Sequence, residues 1–192
     1  MILKLIKSIL SLISFILLIP FFILYLLHIF SFMSISQLLS LVPGYYGIIL
    51  RRVWYKLTLE KCGDNFSVDF LAAIRTPKTR IGNNVYLGVE GWVGLVDIGD
   101  DVMFADHVRV LSGSKHHGIS KLDVPMRLQE GEVRRVKIGN DCWIGSGAII
   151  MEDLADHSVV GAGSVVTKKF APYDIIAGVP AQKIKSRKGD KK

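Results

Sequence analysis

Aliphatic residues recur at every sixth position over residues 136–166, and a small residue follows most of them. The aliphatic leads are Ile138, Ile144, Ile150, Leu154, Val160 and Val166, with one shortening of two residues before Leu154. A period of six matches neither the 3.6 residues of a helical turn nor the two-residue alternation of a half-buried strand. It predicts a solenoid in which each hexapeptide forms one short strand and a corner, and three hexapeptides close one coil.

The same frame extends towards the N-terminus. It is weak at Val68, clear from Ile81, and interrupted at length only by residues 111–135, a polar stretch that we expect to loop out. The leads should stack on their equivalents in neighbouring coils, and the small residues beside them should turn the corners, where glycine tolerates an unusual φ. We predict about five coils. The predicted core is Ile81, Leu87, Val93, Ile98, Phe104, Val110, Ile138, Ile144, Ile150, Val160 and Val166.

The first 50 residues have a different, continuously apolar pattern. Between Ile9 and Phe30, 17 of 22 residues are Leu, Ile or Phe. Such a run gains about 5 to 10 kcal/mol on insertion into a bilayer. It is too long for a signal peptide and no small-residue cleavage site follows it, so we predict a retained membrane helix. A second apolar segment, residues 35–50, is shorter and is broken at Pro43, which is typical of a re-entrant or interfacial element.

The charges that flank this region bear on its topology. Lys4 and Lys7 precede it, Arg51, Arg52 and Lys56 follow it, and residues 8–50 contain no Lys, Arg, Asp or Glu. Positive charge at both ends favours a cytoplasmic location for both. A helical hairpin or a shallow monotopic anchor satisfies this preference, whereas a single span does not.

Composition narrows the class of protein only slightly. The 192 residues suit one ordinary domain, and the mean hydropathy of +0.38 reflects the apolar N-terminus. The formal charge of +7 would suit nucleic acid, anionic lipid or a polyanionic cofactor. No nucleic-acid motif accompanies the charge, so we do not expect a nucleic-acid partner. Cys62 and Cys142 lack the spacing of a metal site or a disulfide framework and are expected to be small buried residues.

These patterns divide the chain into four regions. Residues 1–50 form the hydrophobic membrane anchor, and residues 51–66 form a juxtamembrane linker and cap, with a short linker at residues 61–63. Residues 67–170 form the solenoid domain with its loop at residues 111–135. Residues 171–192 form a C-terminal cap and a basic tail.

The runs IGNDCWIGSGAII and VVGAGSVVTKKFAPYDIIAGVPAQKIK resemble the hexapeptide-repeat acyltransferases, in the branch of membrane-associated sugar O-acetyltransferases. The likeness covers roughly residues 62–185. It implies a mainly β fold, a left-handed parallel β-helix behind a helical membrane anchor. It also implies acetyl-CoA as acyl donor, no metal, and a homotrimer with each active site between two subunits. The expected acceptor is a hydroxyl of a cell-envelope sugar or lipid-linked saccharide, and the expected location is the bacterial inner membrane with the catalytic domain facing the cytoplasm.

Two adjacent histidines in the loop are candidates for the chemistry. Transfer of an acyl group to a hydroxyl needs a base, and histidine has a suitable pKa. The pattern Ser-Gly-x-x-x-His-Gly at residues 112–118 resembles the catalytic loop of membrane-associated members, in which the histidine directly before the glycine is the base. The resemblance implies that His117 is the base and that His116 binds substrate or substitutes for it. Asp106 and Asp123 are alternative carboxylates for orienting the base.

The resemblance also places the acyl-CoA. Trp143, Ser146, Ala162, Thr167 and Lys168 match positions that line the pantetheine and nucleotide in family members. Lysines could meet the phosphates electrostatically. Gln182 stands where some relatives have arginine, which shifts that role to Lys183 or Lys185.

Three alternatives stay open at this point. The same base and donor site would serve an N-acetyltransferase of an amino sugar. A metal enzyme similar to γ-class carbonic anhydrase needs three imidazoles that converge from adjacent coils. His107, His116, His117 and His157 do not have that spacing, and we expect His107 and His157 to be structural or surface residues. A non-catalytic scaffold would not need the WIGSGA, GAGSVVTK and GVPA segments.

Overall fold

The computed structural model describes residues 2–189 and, within them, the side chains from Leu5 onward. Three helices precede a parallel β-solenoid. Met1, the side chain of Lys4 and the last three residues of the predicted basic tail, 190–192, lie outside the described residues.

The apolar N-terminus folds into helices α1 (Ile2–Leu26), α2 (Phe32–Ser40) and α3 (Gly44–Thr58). Ser31 caps α2 because its hydroxyl accepts a hydrogen bond of 3.0 Å from the Ser34 N–H. Pro43 and Gly44, the latter at φ +71°, separate α2 from α3. The second apolar segment, residues 35–50, therefore consists of parts of two helices. Helix α3 continues past residue 50, the predicted boundary between the anchor and the linker.

The solenoid consists of three sheets whose strands alternate along the chain. Sheet 1 has the order β1-β4-β7-β10, sheet 2 the order β16-β15-β13-β11-β8-β5-β2, and sheet 3 the order β14-β12-β9-β6-β3. All pairs are parallel except β15–β16. The strands are β1 (Lys61–Cys62), β2 (Ser67–Val68), β3 (Ala73–Ile74), β4 (Arg80–Ile81), β5 (Tyr86–Leu87), β6 (Trp92–Val93), β7 (Val96–Ile98), β8 (Met103–Phe104), β9 (Arg109–Val110), β10 (Val136–Ile138), β11 (Trp143–Ile144), β12 (Ile149–Ile150), β13 (Val159–Val160), β14 (Val165–Val166), β15 (Asp174–Gly178) and β16 (Ala181–Ser186).

The predicted parallel solenoid is confirmed, and its left-handed sense stays a prediction. Its extent differs from the prediction at both ends. Residues 61–62 are not linker but β1, which pairs with β4 in the first coil. β15 continues sheet 2 beyond β13 into a further turn, so the solenoid has about six turns and the region from residue 171 begins inside it.

All the predicted core leads are buried, and Ile98 is the most exposed of them at 6%. They stack in register from coil to coil, as Leu87, Phe104, Ile144 and Val160 do in sheet 2. The hexapeptide frame therefore identifies the interior of the solenoid, because each lead occupies the same inward position in its coil.

The glycines beside the leads have a different role from the predicted one. They do not have positive φ; a Cβ on Gly82 would lie 2.4 Å from the Gly99 carbonyl oxygen in the next coil. These positions are glycine because the coils stack so closely that a Cβ would clash with the backbone of the next coil. The left-handed conformation instead falls mostly on polar residues such as Asn84 and Asp101, each within a few degrees of φ +57°. Their side chains form ladders, with Asn84 Nδ2 donating to Asp101 Oδ1 at 2.9 Å.

Helices α2 and α3 cover the open end of the first coil. The fully buried Arg51 guanidinium donates to the carbonyls of Val68 in β2 and Leu39 in α2, both at 2.9 Å. The Ile74 N–H in β3 donates to the Tyr55 hydroxyl at 3.1 Å. Burial lowers the pKa of Arg51. Because α3 bonds to two different strands of the first coil, it lies across the end of the solenoid.

Candidate functional site

The loop at residues 111–135 leaves the solenoid after β9 and returns at β10, at the corner between sheets 3 and 1. Its two stems run side by side: the Arg134 N–H donates to the Ser112 carbonyl at 2.8 Å, and the Glu132 N–H to the Lys115 carbonyl at 2.6 Å. Beside the second bond lies a groove of about 530 Å³ whose walls include Lys115, His117 and Glu132. The loop therefore presents the predicted base at the edge of a cleft.

Two glycines allow the stems to approach each other at the histidines. A Cβ on Gly131 would lie 2.1 Å from the His116 carbonyl oxygen, and one on Gly118 would lie 2.8 Å from the Glu130 carbonyl oxygen. Both neighbours are backbone atoms that cannot rotate away. The backbone of His116 and His117 is thus set by direct contact with the returning stem.

The tip of the loop is held by one buried side chain. Gln129 is 8% exposed, and its Nε2 donates to the carbonyls of Lys121 and Val124, both at 2.7 Å. Its Oε1 accepts from the Lys121 N–H at 3.1 Å. These bonds close the tip without a hydrophobic core.

Two arginines fix the base of the loop in opposite directions. Arg134 pairs with Glu152 at 2.5 Å and Asp153 at 2.7 Å, at the same corner one coil further on. Arg135 pairs with Asp97 at 2.6 Å and with Glu60 at 3.1 Å, on sheet 1. The hydrogen bonds to Asp153 and Asp97 raise the pKa of Arg134 and Arg135 respectively. The hexapeptide pattern did not identify either arginine, although both directly precede β10.

The imidazoles of His116 and His117 are exposed. Over residues 5–189, neither imidazole has a side-chain hydrogen bond or an ion pair. Asp106 accepts a hydrogen bond of 2.9 Å from the Val89 N–H at another corner, and Asp123 is an exposed loop residue. Within one chain neither carboxylate is joined to the imidazole of His116 or His117, and their role as orienting groups stays a prediction.

Two residues expected to contact CoA meet along the corner between sheets 2 and 3. Ser146 and Ala162 occupy this corner in successive coils, and the Gly163 N–H donates to the Ser146 carbonyl at 2.8 Å. Gly147 and Gly163 have no atoms within 4 Å of an added Cβ. We call residues 146–147 and 162–163 the small-residue corner. Its backbone is open to a narrow, extended ligand.

The remaining candidates lie outside this corner, and Thr167 and Lys168 are at the opposite edge of sheet 3. Trp143 is 54% exposed on the outer face of sheet 2, level with Met103 and Val159. Thr167 and Lys168 follow β14, and Lys168 Nζ donates to Gln182 Oε1 at 2.8 Å.

Lys183 and Lys185 are both exposed residues of β16. Lys183 Nζ is already paired with the buried carboxylate of Asp174 at 2.8 Å. Lys185 lies opposite Ile175 in the antiparallel pair. A role for Lys183 in phosphate binding would compete with its ion pair, whereas Lys185 forms no ion pair with any residue from 5 to 189.

The two other solenoid histidines occupy corners. His107 Nδ1 lies 3.1 Å from Glu90 Oε2, and His157 Nδ1 lies 2.9 Å from Asp141 Oδ2 with its ring stacked on Tyr173 at 4.3 Å. The hydrogen bond from His157 lowers the pKa of Asp141. Both histidines have structural partners, and among the described residues no three His, Cys, Asp or Glu side chains form a metal-binding group.

The histidine loop and the small-residue corner lie at opposite edges of sheet 3. Gly147 begins this face in the fourth coil and Glu152 ends it. Five residues at about 3.3 Å each separate the two edges by roughly 16 Å. In one chain the base and the expected thioester path are therefore on different edges. A second copy could bring its own loop beside this corner.

Comparisons with known proteins agree with the fold and with acyl transfer as the reaction class. The family described as the hexapeptide repeat of succinyl-transferase matches residues 135–168. Galactoside O-acetyltransferase of Escherichia coli strain K12 is 34% identical over 119 residues, which cover 54% of this chain and 55% of that protein. Chloramphenicol acetyltransferase of Morganella morganii is 53% identical over 55 residues, 28% of this chain and 26% of that protein. The chain thus spans about half, or less, of these curated relatives.

Solved structures share more of the architecture. A maltose O-acetyltransferase from Clostridium difficile 630 superposes with a TM-score of 0.72 and 25% identity, covering 81% of this chain and 84% of that one. The N-acyltransferase AntD from Bacillus cereus, in complex with dTDP and 3-hydroxybutyryl-CoA, gives a TM-score of 0.55 at 20% identity, covering 69% and 85%. The second likeness concerns the fold alone.

Proposed function

The chain belongs to the hexapeptide-repeat acyltransferase family, and from that premise we propose that it transfers an acetyl group from acetyl-CoA to a saccharide hydroxyl. The acceptor is a cell-envelope sugar, free or lipid-linked. The observation that carries this proposal is the groove whose walls include His117, Lys115 and Glu132. A charged, polar cleft of that kind suits a ligand rich in hydroxyl groups.

His117 acts as the general base. It takes the proton from the acceptor hydroxyl as the oxygen attacks the thioester carbonyl, and a tetrahedral oxyanion forms. Backbone N–H groups of the glycine-bearing corners are the donors available to stabilise that oxyanion. Collapse of the intermediate breaks the C–S bond, and the CoA sulfur leaves with the proton that His117 holds. The ester product and free CoA balance the reaction.

The donor lies along the small-residue corner. Its thin pantetheine arm fits where Gly147 and Gly163 leave the backbone uncovered, and its nucleotide lies towards Lys168 and Lys185. Trp143 flanks the arm, and Thr167 precedes Lys168 at the far end.

The active site is assembled from two copies in a homotrimer. Support comes from the separation of the loop and the small-residue corner across sheet 3 within one chain. The outer face of sheet 2, with Met103 at 53% and Trp143 at 54% exposed, offers apolar area for the contact.

The anchor places the enzyme on the bacterial inner membrane, with the solenoid in the cytoplasm where acetyl-CoA is made. By length and composition, α1 is the one helix among the described residues that could cross a bilayer, over Leu5–Leu26 with a mean hydropathy of 2.7. The basic residues on both sides of the apolar region support cytoplasmic ends.

Replacement of the base tests the proposal. His117→Ala should lower kcat/KM for labelled acetyl-CoA and a panel of sugars by at least about 100-fold, the usual size of a general-base contribution. The matched control is His157→Ala, which removes an imidazole paired with Asp141 at the corner between sheets 1 and 2, away from the loop and the small-residue corner. Unchanged turnover in His117→Ala, with thermal unfolding equal to the parent, would defeat the assignment.

Acylation of an amino sugar is the second candidate, because the AntD structures with CoA are named N-acyltransferases. Inclusion of amino sugars in the same acceptor panel distinguishes N-acylation from O-acylation. Preference for the amine over the matched hydroxyl by kcat/KM would favour N-acylation.

A further inference from the structure

The outer face of α1 is apolar and exposed along its described length. Leu5, Ile9, Leu12, Ile16 and Ile23 lie on one side of the helix and are 48–62% exposed. Their spacing of three, four and seven residues places them on one stripe. Exposure of such an apolar stripe to water is unfavourable, so we expect another apolar surface to cover it.

The opposite face of α1 packs against α3 at several points. Ser14 and Leu18 on this face are 0% and 1% exposed. Near the end of α1 the Tyr25 ring lies 5.8 Å from the Trp54 ring, and near its beginning Lys7 Nζ lies 5.8 Å from the centre of the Tyr45 ring. Because contacts near both ends of α1 are made to α3, α1 lies across α3 and does not project from it end-on.

The direction of α3 then fixes the direction of α1. α3 lies across the end of the first coil, because Arg51 bonds to Val68 in sheet 2 and Tyr55 to Ile74 in sheet 3. α1 packs on the side of α3 that faces away from the solenoid. Packed helices have their axes about 8–10 Å apart, so the axis of α1 lies in a plane parallel to that of the coil end that α3 covers. The exposed stripe of α1 therefore faces away from the solenoid, in a plane parallel to the coils.

We propose that α1 lies in the plane of a lipid bilayer surface, with this stripe among the acyl chains and the solenoid standing upright on the membrane. The helices are then a monotopic docking surface and α1 is not a span. The proposal rests on the membrane attachment proposed above, and it is independent of acetyl transfer.

Charge favours a bilayer over a second copy as the occupant. Among residues 2–59 every charged side chain is basic: Lys4 and Lys7 are residues of α1, and Arg51, Arg52 and Lys56 are residues of α3, where Lys56 pairs with Asp64 at 2.8 Å. Basic residues beside an apolar helix face attract anionic headgroups. Two identical caps face to face would bring like charges together.

Fluorophore depth along the stripe tests the orientation. Ile9→Cys, Ile16→Cys and Ile23→Cys place a thiol at three points that are seven residues, or about 10 Å, apart on the same side of α1. Each full-length variant is labelled with an environment-sensitive dye and bound to vesicles of phosphatidylcholine and phosphatidylglycerol. The vesicles contain lipids brominated either near the headgroup or deep in the acyl chain. The unsubstituted chain is the blank that measures any labelling of Cys62, which is partly exposed and not buried as expected, and of Cys142, which is buried. Burial raises the pKa of each thiol to about 11 and slows its labelling near neutral pH.

An in-plane helix gives the same ratio of shallow to deep quenching at all three positions. A spanning helix gives a ratio that changes with each step, with Ile16→Cys the deepest, and overturns the proposal. Absence of quenching at all three positions also overturns it and indicates that protein covers the stripe. Leu18→Cys is the matched control on the packed face; labelling as fast as that of Ile16→Cys would show that α1 does not pack on α3. None of these outcomes depends on acetyl transfer.

Discussion

The coils and the loop that interrupts them are held together by different interactions. In the coils, aliphatic side chains such as Ile144 and Ile150 are fully buried and stack on their equivalents above and below. In the loop, the stems are held by backbone contact at Gly131, by the amide of Gln129 and by the ion pairs of Arg134. The coils therefore resist unfolding through burial, whereas the loop keeps its shape through a few polar contacts.

This difference assigns stability and chemistry to separate parts of the chain. Substitutions in a coil should change the free energy of unfolding, and substitutions in the loop should change turnover with little effect on unfolding. Three measurements test this division between stability and turnover.

The largest effect is expected in the core. Ile144→Ala removes a fully buried side chain between Phe104 and Val160 and should lower the free energy of unfolding by about 3 to 4 kcal/mol. Urea titration in detergent measures the change. Val159→Ala, on the next strand of the same sheet but facing outward, is the control and should cost less than about 1 kcal/mol. Equal losses in the two variants would show that the leads are not the main source of stability.

An intermediate effect is expected where the stems touch. Gly131→Ala places a methyl group 2.1 Å from the His116 carbonyl oxygen, so the histidine segment must move. We expect kcat to fall about 10- to 100-fold, because misplacement by about 1 Å costs that much. The urea midpoint should hardly change. Arg127→Ala, at an exposed position of the same loop outside the groove, should retain activity. A large loss of stability in Gly131→Ala would mean that the loop supports the coils.

The smallest effect concerns the ion pairs at the base of the loop. Burial would raise the pKa of Asp153, but hydrogen bonds from Arg134, the Lys137 N–H and Lys169 outweigh it and lower the pKa. A lowered carboxyl pKa stabilises the folded state above the unfolded-state value near 4 and ceases to do so as pH falls below it. From pH 5.5 to 3 the parent should lose up to about 1 kcal/mol more than Asp153→Asn. Parallel losses on urea titration at both pH values would exclude a contribution from this carboxylate.

The interior of the solenoid could be predicted from the sequence because one physical demand repeats in every coil. The position that faces inward must be apolar, and the leads from Ile81 to Val166 meet that demand. The corners were harder to predict. Their left-handed residues are Asn84, Asp101 and His157 in place of glycine, since ladders between coils support them.

The candidate site could be predicted only in part. The small-residue corner and the histidine loop were both identified, but their positions at opposite edges of sheet 3 depend on where the loop enters the coil. The contacts of Gly131, Gln129 and Arg135 are long-range or specific to one geometry, and no periodic signal marks them. A glycine and two arginines in the last residues of a polar loop were the available cue.

The number of coils between the helices and the loop sets the distance between them along the solenoid axis. Successive strands in each sheet are about 4.8 Å apart, and the loop leaves after the third coil. Removal of one whole coil would lower the imidazoles by that increment without disturbing the stacking of the others. With the membrane attachment proposed above, the number of coils therefore sets the distance between the bilayer surface and the loop imidazoles that an acceptor must span.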